Sequence, residues 1–336
     1  MKNILLTGGA GYIGSHTAVV LMQSGYRVII YDNLSNSNKG IIRGIEQITE
    51  KSPDFICGDV RDTARLIKAL ERNQVDAVIH LAGLKAVGES ALMPVNYYAN
   101  NVQGSISLLQ AMQCVGVSQL VFSSSATVYG DPQYLPINEL HPLNPTNPYG
   151  RNKQQVEQLL TDVVRSDNSN WSVICLRYFN PVGAHESALI GEFPQGTPNN
   201  LMPYIASVAS GKEAKLNIFG NDYATTDGTG VRDYIHVMDL AEGHLAALDY
   251  IKSHTGIGFV NLGNGLGYSV LELVAKFQEV SSKQIPYQVV GRRSGDIASC
   301  YADPTMAKNL LGWSAKRNIN EMCSSAWRWQ NNIHKI

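Results

Sequence analysis

Cysteine is scarce in these 336 residues, with five in all: Cys57, Cys114, Cys175, Cys300 and Cys323. None forms a C-x-x-C pair or joins a Cys/His cluster, so neither a disulfide framework nor a zinc site is expected. Charged residues reach only 16%, the formal net charge is −1, and no basic stripe gathers along the chain. That excludes the electrostatic footprint of a nucleic-acid binder. Long apolar runs are missing as well. The start, "MKNILLTGG", has three consecutive apolar residues before its glycines, too few for a signal peptide or a membrane span. Hydrophobic residues still make up 44%, too many for disorder, and the length suits one large domain or two moderate ones. The expectation is a reduced, cytoplasmic compartment with no membrane and no nucleic acid as partner.

What is present is a rhythm. Short runs rich in β-formers occur at 3–7 "NILLT", 27–32 "RVIIYD", 54–59 "DFICGD", 77–82 "AVIHLA", 119–125 "QLVFSSS" and 172–177 "SVICLR". They are continuously apolar rather than alternating, as parallel strands covered on both faces must be. Between them stand helix-like segments such as "GYIGSHTAVVLMQSG", "DTARLIKALERN", "VQGSISLLQAMQCVG" and "GRNKQQVEQLLTDVV". This βαβ series predicts an α/β, doubly wound (Rossmann) parallel sheet with right-handed crossovers. Past residue 180 proline and glycine become frequent, and one further strand-like run, "FVNLG", occupies 259–263. The expected division is a first domain over 1–180 and a smaller, mixed lobe over 181–336. Part of that lobe returns to the main sheet, so the boundary is soft.

"TGGAGYIG" follows the first strand and opens a helix, with Gly8, Gly11 and Gly14 spaced as G-x-x-G-x-x-G. A dinucleotide needs such a loop because its pyrophosphate approaches the backbone closely and sits at the helix N-terminus. The plainer alternative is a glycine-rich turn that matches by coincidence. The second strand, however, ends in Asp32, eighteen residues after Gly14. A carboxylate there accepts from the adenosine ribose and repels a 2′-phosphate, which points to NAD over NADP. Asp59, ending the third run, is placed for the adenine or serves simply as a strand-end turn residue.

"NPYGRNK" sets Tyr149 and Lys153 four positions apart at the start of a helix, on one face. Tyrosine has a reference pKa of about 10 and is a poor base at neutral pH. A neighbouring ammonium favours the phenolate, and so would the positive charge of an oxidised nicotinamide. Ser125 closes the fifth strand at its C-terminal end, where ligands bind in open α/β sheets. It can orient a hydroxyl that gives up its proton. Alone, the Tyr–Lys pair would be an ordinary helix-surface contact.

With the glycine loop, "SSSATVYG" and "YGRNK" assembled, the sequence resembles the extended short-chain dehydrogenase/reductase family from Lys2 to about Trp329. The motifs "HLAGLKAVGES", "LRYFNPVGAH", "PNNLMPYI", "IFGNDY" and "DGTGVRDYIHVMDLA" are similar to those of its nucleotide-sugar epimerase branch. The resemblance implies NAD as cofactor and a UDP-sugar as substrate. It implies inversion at C4 between UDP-glucose and UDP-galactose through a transient 4-keto sugar. Tyr149 is then the catalytic base, Lys153 its partner, and Ser125 a hydrogen-bonding aid to the 4-hydroxyl. Gly8, Gly11, Tyr12, Ile13, Gly14, Asp32, Asn33, Asp59, Val60, Lys85, Asn100 and Phe179 surround NAD, together with Tyr149 and Lys153. Asn180, Asn200, Leu201, Arg232, Arg293, Asp296 and Cys300 surround the UDP-sugar, with Ser125 and Tyr149. No metal is implied.

Cys300 stands where many bacterial relatives carry tyrosine, and in the family that position walls the pocket near the sugar's 2-substituent. The smaller side chain predicts room for N-acetylated UDP-hexosamines. A homodimer is implied, through paired helices such as "VQGSISLLQAMQ" and "QQVEQLLTDVV", although their apolar faces serve equally well as core. Plainer roles also exist: Asn180 as a turn residue, Arg232 in a surface ion pair with Asp233, His80 and His236 as structural histidines, Trp327 and Trp329 as helix packing. Two other functions fit parts of the pattern. A nucleotide-sugar 4,6-dehydratase needs carboxylates at the end of strand five, where this chain has serines. A non-catalytic NAD sensor would be free to lose Tyr149 or Lys153.

Overall fold

The computed structural model describes residues 2–166, 170–193, 198, 200–293 and 295–333. The first half runs β1 (Asn3–Thr7), α1 (Tyr12–Gln23), β2 (Arg27–Asp32), α2 (Gly40–Thr49), β3 (Asp54–Cys57), α3 (Thr63–Arg72), β4 (Ala77–His80), α4 (Val87–Leu92) and α5 (Pro94–Tyr97). A π-helical turn over Tyr98–Val102 leads into α6 (Gln103–Val115), β5 (Gln119–Ser125), α7 (Pro148–Arg165) and β6 (Ser172–Tyr178). The second half contains β7 (Asn180–Val182), α8 (Leu201–Ala209), β8 (Leu216–Phe219), β9 (Val231–His236), α9 (Val237–Ile251), β10 (Gly256–Leu262), β11 (Gly267–Ser269) and α10 (Val270–Ser281). It ends with β12 (Tyr287–Val290), β13 (Ser299–Cys300), α11 (Thr305–Leu311) and α12 (Ile319–Asn332).

Seven strands form one parallel sheet in the order β10-β6-β5-β4-β1-β2-β3. The order reverses between β1 and β4, and the crevice beyond their C-terminal ends is where such sheets bind ligands. Apolar side chains pack on both faces. Ile4, Leu6, Ile30 and Val260 lie on one face, against α1 and α9, while Leu5, Ile29, Val78 and Leu120 lie on the other, against α3, α6 and α7. Double coverage is why these runs are continuously apolar. A third core joins α8, α10 and α12 around Met202, Leu273, Phe277 and Met322.

The six early strand expectations coincide with β1 to β6, yet β3 and β4 stop short. Gly58–Asp59 and Leu81–Ala82 leave the ladder to form the crevice rim. β10 begins three residues before the expected run and forms the sheet edge beside β6, so this segment of the second half belongs to the main sheet. Helix α2 and the stretch from α4 through the π turn were not anticipated. A small four-stranded sheet links β11, β9, β13 and β7, and β12 pairs with β8. Among the described residues, no helix is long and apolar enough to cross a membrane.

Candidate active site

The glycine loop shows three distinct demands. Gly8 has φ +69°, and a β-carbon there would lie 2.6 Å from the Ala82 amide nitrogen. A β-carbon on Gly14 would come within 2.4 Å of the Gly8 carbonyl. Both glycines therefore serve the fold. A β-carbon on Gly11 meets only the Gly8 carbonyl, at 3.2 Å. The chain itself hardly needs a glycine there, so the open space suits an external group. Gly11 caps α1 without a side chain, and no acidic residue stands in the first turn. The helix end is left to an anion, as a pyrophosphate requires.

Asp32 is buried, and its carboxylate accepts from the amides of Ala10 (3.0 Å) and Leu34 (2.8 Å) and from the Ser37 hydroxyl (3.0 Å). A carboxylate has about four acceptor positions, which leaves one for a ribose hydroxyl. Asn33 donates to Asp59 (3.3 Å), and Arg61 grips the same carboxylate with Nε and Nη2 at 2.9 and 2.7 Å. The Arg61 contact holds Asp59 down at about 2. The Asp59 side chain thus serves its own turn, while Val60 is buried beside Gly104. Tyr12 donates its hydroxyl to the Gly183 carbonyl (2.7 Å), tying the loop to the second half. The fit to a dinucleotide is good on both counts, the helix end without a side-chain cap and the spare carboxylate position.

Helix α7 starts where it does for local reasons. The Asn147 side chain caps α7 by accepting from the Gly150 amide at 2.8 Å, and Pro148 fills the first helical position. Tyr149 therefore lies in the first turn and Lys153 one turn deeper. Lys153 is buried, its Nζ donates to the Ser123 carbonyl (2.5 Å), and it lies 5.8 Å from the Tyr149 ring centre. Ser125 lies close enough to act on the Tyr149 phenol, and its Oγ accepts from Thr127. Gly83, in the loop that meets the glycine turn, lies beside Asn101 and about 4.0 Å from Lys153 Nζ by its β-carbon position. The loop after β4 thus joins the cofactor crevice to the Tyr–Lys pair. The π turn aims Asn100 at Asn101, which clamps Leu84 through both its amide and its carbonyl.

Burial pushes Tyr149 up to about 12, against a lowering bond with Ser125, and drives Lys153 down to about 8. Ser125 eases the phenol's ionisation, and the Lys153 ammonium is turned onto the Ser123 carbonyl.

Phe179 and the remaining residues expected around the UDP-sugar sit at or beyond the boundary of the second half. Phe179 and Cys300 share a small buried cluster with Ala126, which follows Ser125. Cys300 pairs with Arg232 across β13 and β9. Arg293 holds Asp296 through Nε and Nη2 and lies 4.5 Å over the Phe219 ring. Arg292 lies 4.0 Å over the Tyr223 ring, and both line a cleft with Asp296. An open cleft of about 520 Å³ runs past Tyr223, Asp296 and Thr146, the last from the loop before α7. Asn200 caps α8 and, with Lys85, donates to one Glu192 oxygen, at 2.6 and 2.8 Å. Leu201 opens α8, and exposed Asn180 opens β7.

Arg232 forms no ion pair with Asp233. It donates to the Val231 carbonyl, and Asp233 is buried with three backbone amides, those of Asn264, Gly265 and Ala302. His80 and His236 are structural, joined to Thr7 and Ser105 and to Ser325 and the Met238 amide. Trp327 stacks edge-on to Phe277, and Trp329 donates to the Glu192 carbonyl. Sequence reasoning missed Glu192, Phe219 and Tyr223. Phe219 and Tyr223 lie in the "IFGNDY" motif, an available signal to which no residue role had been attached.

Known proteins resemble this chain in sequence and fold. A family profile described as GDP-mannose 4,6 dehydratase matches residues 5–326. The UDP-glucose 4-epimerase of Bacillus subtilis (strain 168) is 56% identical, covering 98% of this chain and 96% of that protein. The UDP-glucose-4-epimerase of Stenotrophomonas maltophila, crystallised with NAD and formylated UDP-arabinopyranose, superposes with TM-score 0.97 at 48% identity, over 100% of this chain and 99% of the other. That of Bifidobacterium longum, with NAD+ and UDP, gives TM-score 0.96 at 49% identity, over 98% of each chain. On sequence, fold and site geometry together, the chain belongs to the UDP-glucose 4-epimerase family.

Proposed function

We infer that this chain is an isomerase, an NAD-dependent epimerase that interconverts UDP-glucose and UDP-galactose at C4. The observation carrying the reading is the meeting of Tyr149, Ser125 and Lys153 at the end of β5, joined to the glycine crevice through the loop after β4. Gly11, Tyr12 and Ile13 at the start of α1, with Asp32, Asn33, Asp59, Val60, Lys85, Asn100 and Phe179, would hold NAD. When bound, the oxidised nicotinamide supplies reversible hydride acceptance at C4 and a positive charge that favours the phenolate. Tyr149 takes the 4-hydroxyl proton, and Ser125 orients that hydroxyl. Lys153 holds the phenol's surroundings in place through Ser123. The 4-keto sugar turns over between two presentations while its nucleotide stays anchored. Arg232 and Arg293 suit that anchor, because guanidinium groups match a diphosphate. Binding energy from the remote UDP retains the intermediate.

The dehydratase reading lacks its acid/base pair. The β5 end presents hydroxyls, and the neighbouring carboxylate, Glu157, is already committed to Arg177. The division into a cofactor lobe over 1–180 and a sugar lobe over 181–336 is part of our reading, with β10 returned to the first. So is a homodimer, supported by Leu92 and Val95 at 84% and 78% exposure around α4 and α5. The apolar faces of α6 and α7 are core. A cytoplasmic location is supported by five unpaired cysteines.

The test is to mix purified protein with UDP-galactose, without added cofactor, and follow UDP-glucose. Turnover supports the reading; stoichiometric loss of water would favour the dehydratase. Tyr149→Phe should remove about 10²–10⁴-fold of the rate with the fold intact.

A further inference from the structure

Beneath the catalytic set lies a buried charge pair to which the reaction, as described, assigns no task. Glu157 follows Lys153 by one turn of α7, and Arg177 comes from β6, with side-chain exposures of 3% and 4%. Arg177 donates from Nε to Oε1 (3.0 Å) and from Nη2 to Oε2 (2.8 Å). Ser124 adds its hydroxyl to Oε1 at 2.5 Å. Ser124 is level with Arg177 across β5 and β6, and Arg177 with Asn261 across β6 and β10. Arg177 Nη1 also donates to the Tyr129 hydroxyl, which donates to Asn261. A polar row thus crosses three strands one residue short of Ser125. Buried ion pairs are often replaceable by apolar residues without loss of stability. A pair kept directly under a catalytic helix therefore calls for another task.

We infer that Glu157 is a positioning residue for Lys153 and Ser125: its carboxylate ties helix α7 to strand β5 and keeps a negative charge one turn from the lysine. The ammonium is faced by Glu157 and Tyr149 on α7, Cys175 on β6 and His80 on β4. Burial drives the lysine down, and Glu157, ahead of Cys175, pulls it back up. Glu157 in turn is faced by Arg177, Tyr129 and Cys175. Displacing either tether shifts Lys153 and the serine row relative to one another, and displacements of about an ångström cost about a hundredfold in rate.

This inference rests on the assignment of Lys153 to the catalytic set, so Lys153→Met is measured beside it. The experiment compares kcat, KM for UDP-galactose, the pH profile of kcat and the melting temperature for Glu157→Gln and for the double variant Glu157→Gln/Arg177→Gln. Glu157→Gln should lower kcat about tenfold to a hundredfold with KM within about twofold, and move the alkaline limb of kcat to lower pH. The double variant, with no unpaired charge, should recover the melting temperature while kcat and the alkaline limb stay displaced. Recovery of rate together with stability, or an unmoved limb, makes the pair purely structural and overturns the inference. If the single variant does not fold, the limb of the double variant decides in the same way. Wild-type turnover by Lys153→Met would sink the catalytic assignment instead. Wild-type turnover by Glu157→Gln beside an inactive Lys153→Met sinks this inference alone.

Discussion

Cys300 lies directly opposite Arg232 across the parallel bridge between β13 and β9. The short side chain and the arginine that suits a diphosphate are therefore neighbours at one register, and Cys300 packs in the cluster that also holds Phe179. We propose that a residue's size at position 300 acts on the sugar pocket beside the Arg232 anchor.

Cys300→Tyr should accordingly abolish turnover of UDP-N-acetylglucosamine while UDP-glucose turnover stays within about tenfold, since a bulkier wall excludes only the larger substituent. Competing both sugars against wild type and variant measures this. Equal turnover of the acetamido sugar in the two proteins would show that the position does not gate the pocket.

Gly11 and Gly14 should separate binding from folding. Gly14→Ala places a β-carbon 2.4 Å from the Gly8 carbonyl and should lower the melting temperature markedly. Gly11→Ala meets one atom at 3.2 Å and should melt near wild type, yet retain little NAD after purification. Cofactor content and thermal melts check both, and a Gly11→Ala protein with full NAD content would contradict the crevice assignment.

Asp233 accepts three backbone amides that hold the strand carrying Cys300 to β9 and to the turn after β10. Asparagine offers one oxygen and sets an NH₂ against the remaining amides, so Asp233→Asn should cost about 1–3 kcal/mol and raise KM. Burial pushes Asp233 up to about 6, above the usual 3.8. With the folded pKa raised, its contribution is full below about 4 and falls as pH rises to about 6. The stability gap between wild type and Asp233→Asn should therefore narrow across that window. Denaturant titrations at about pH 4 and about pH 6, roughly bracketing the transition, check the sign; a gap that widens with pH would contradict it.

Much of this was legible in the residues. The six early strands, the glycine loop, Asp32, and Tyr149 with Lys153 on one helix face were readable because each depends on spacing along a single element. Burial on both faces forces continuous apolar runs, and helical period forces the i, i+4 pairing. Other features depend on segments far apart in the chain. The Glu192 bridge between Lys85 and Asn200, the amide cradle of Asp233, the pairing of Cys300 with Arg232 and the Glu157–Arg177 pair all join residues on different elements.

Folding also moved the proton affinities of Tyr149 and Lys153. The sequence placed an ammonium beside a phenol, and the natural reading had the one acidify the other. Tertiary burial removed water from both, turned Lys153 onto the Ser123 carbonyl and left Ser125 as the partner of Tyr149. Local periodicity determined which side chains share a face. Which of them touch, and which way each proton affinity moves, was decided by packing, because desolvation acts on the assembled site rather than on the chain.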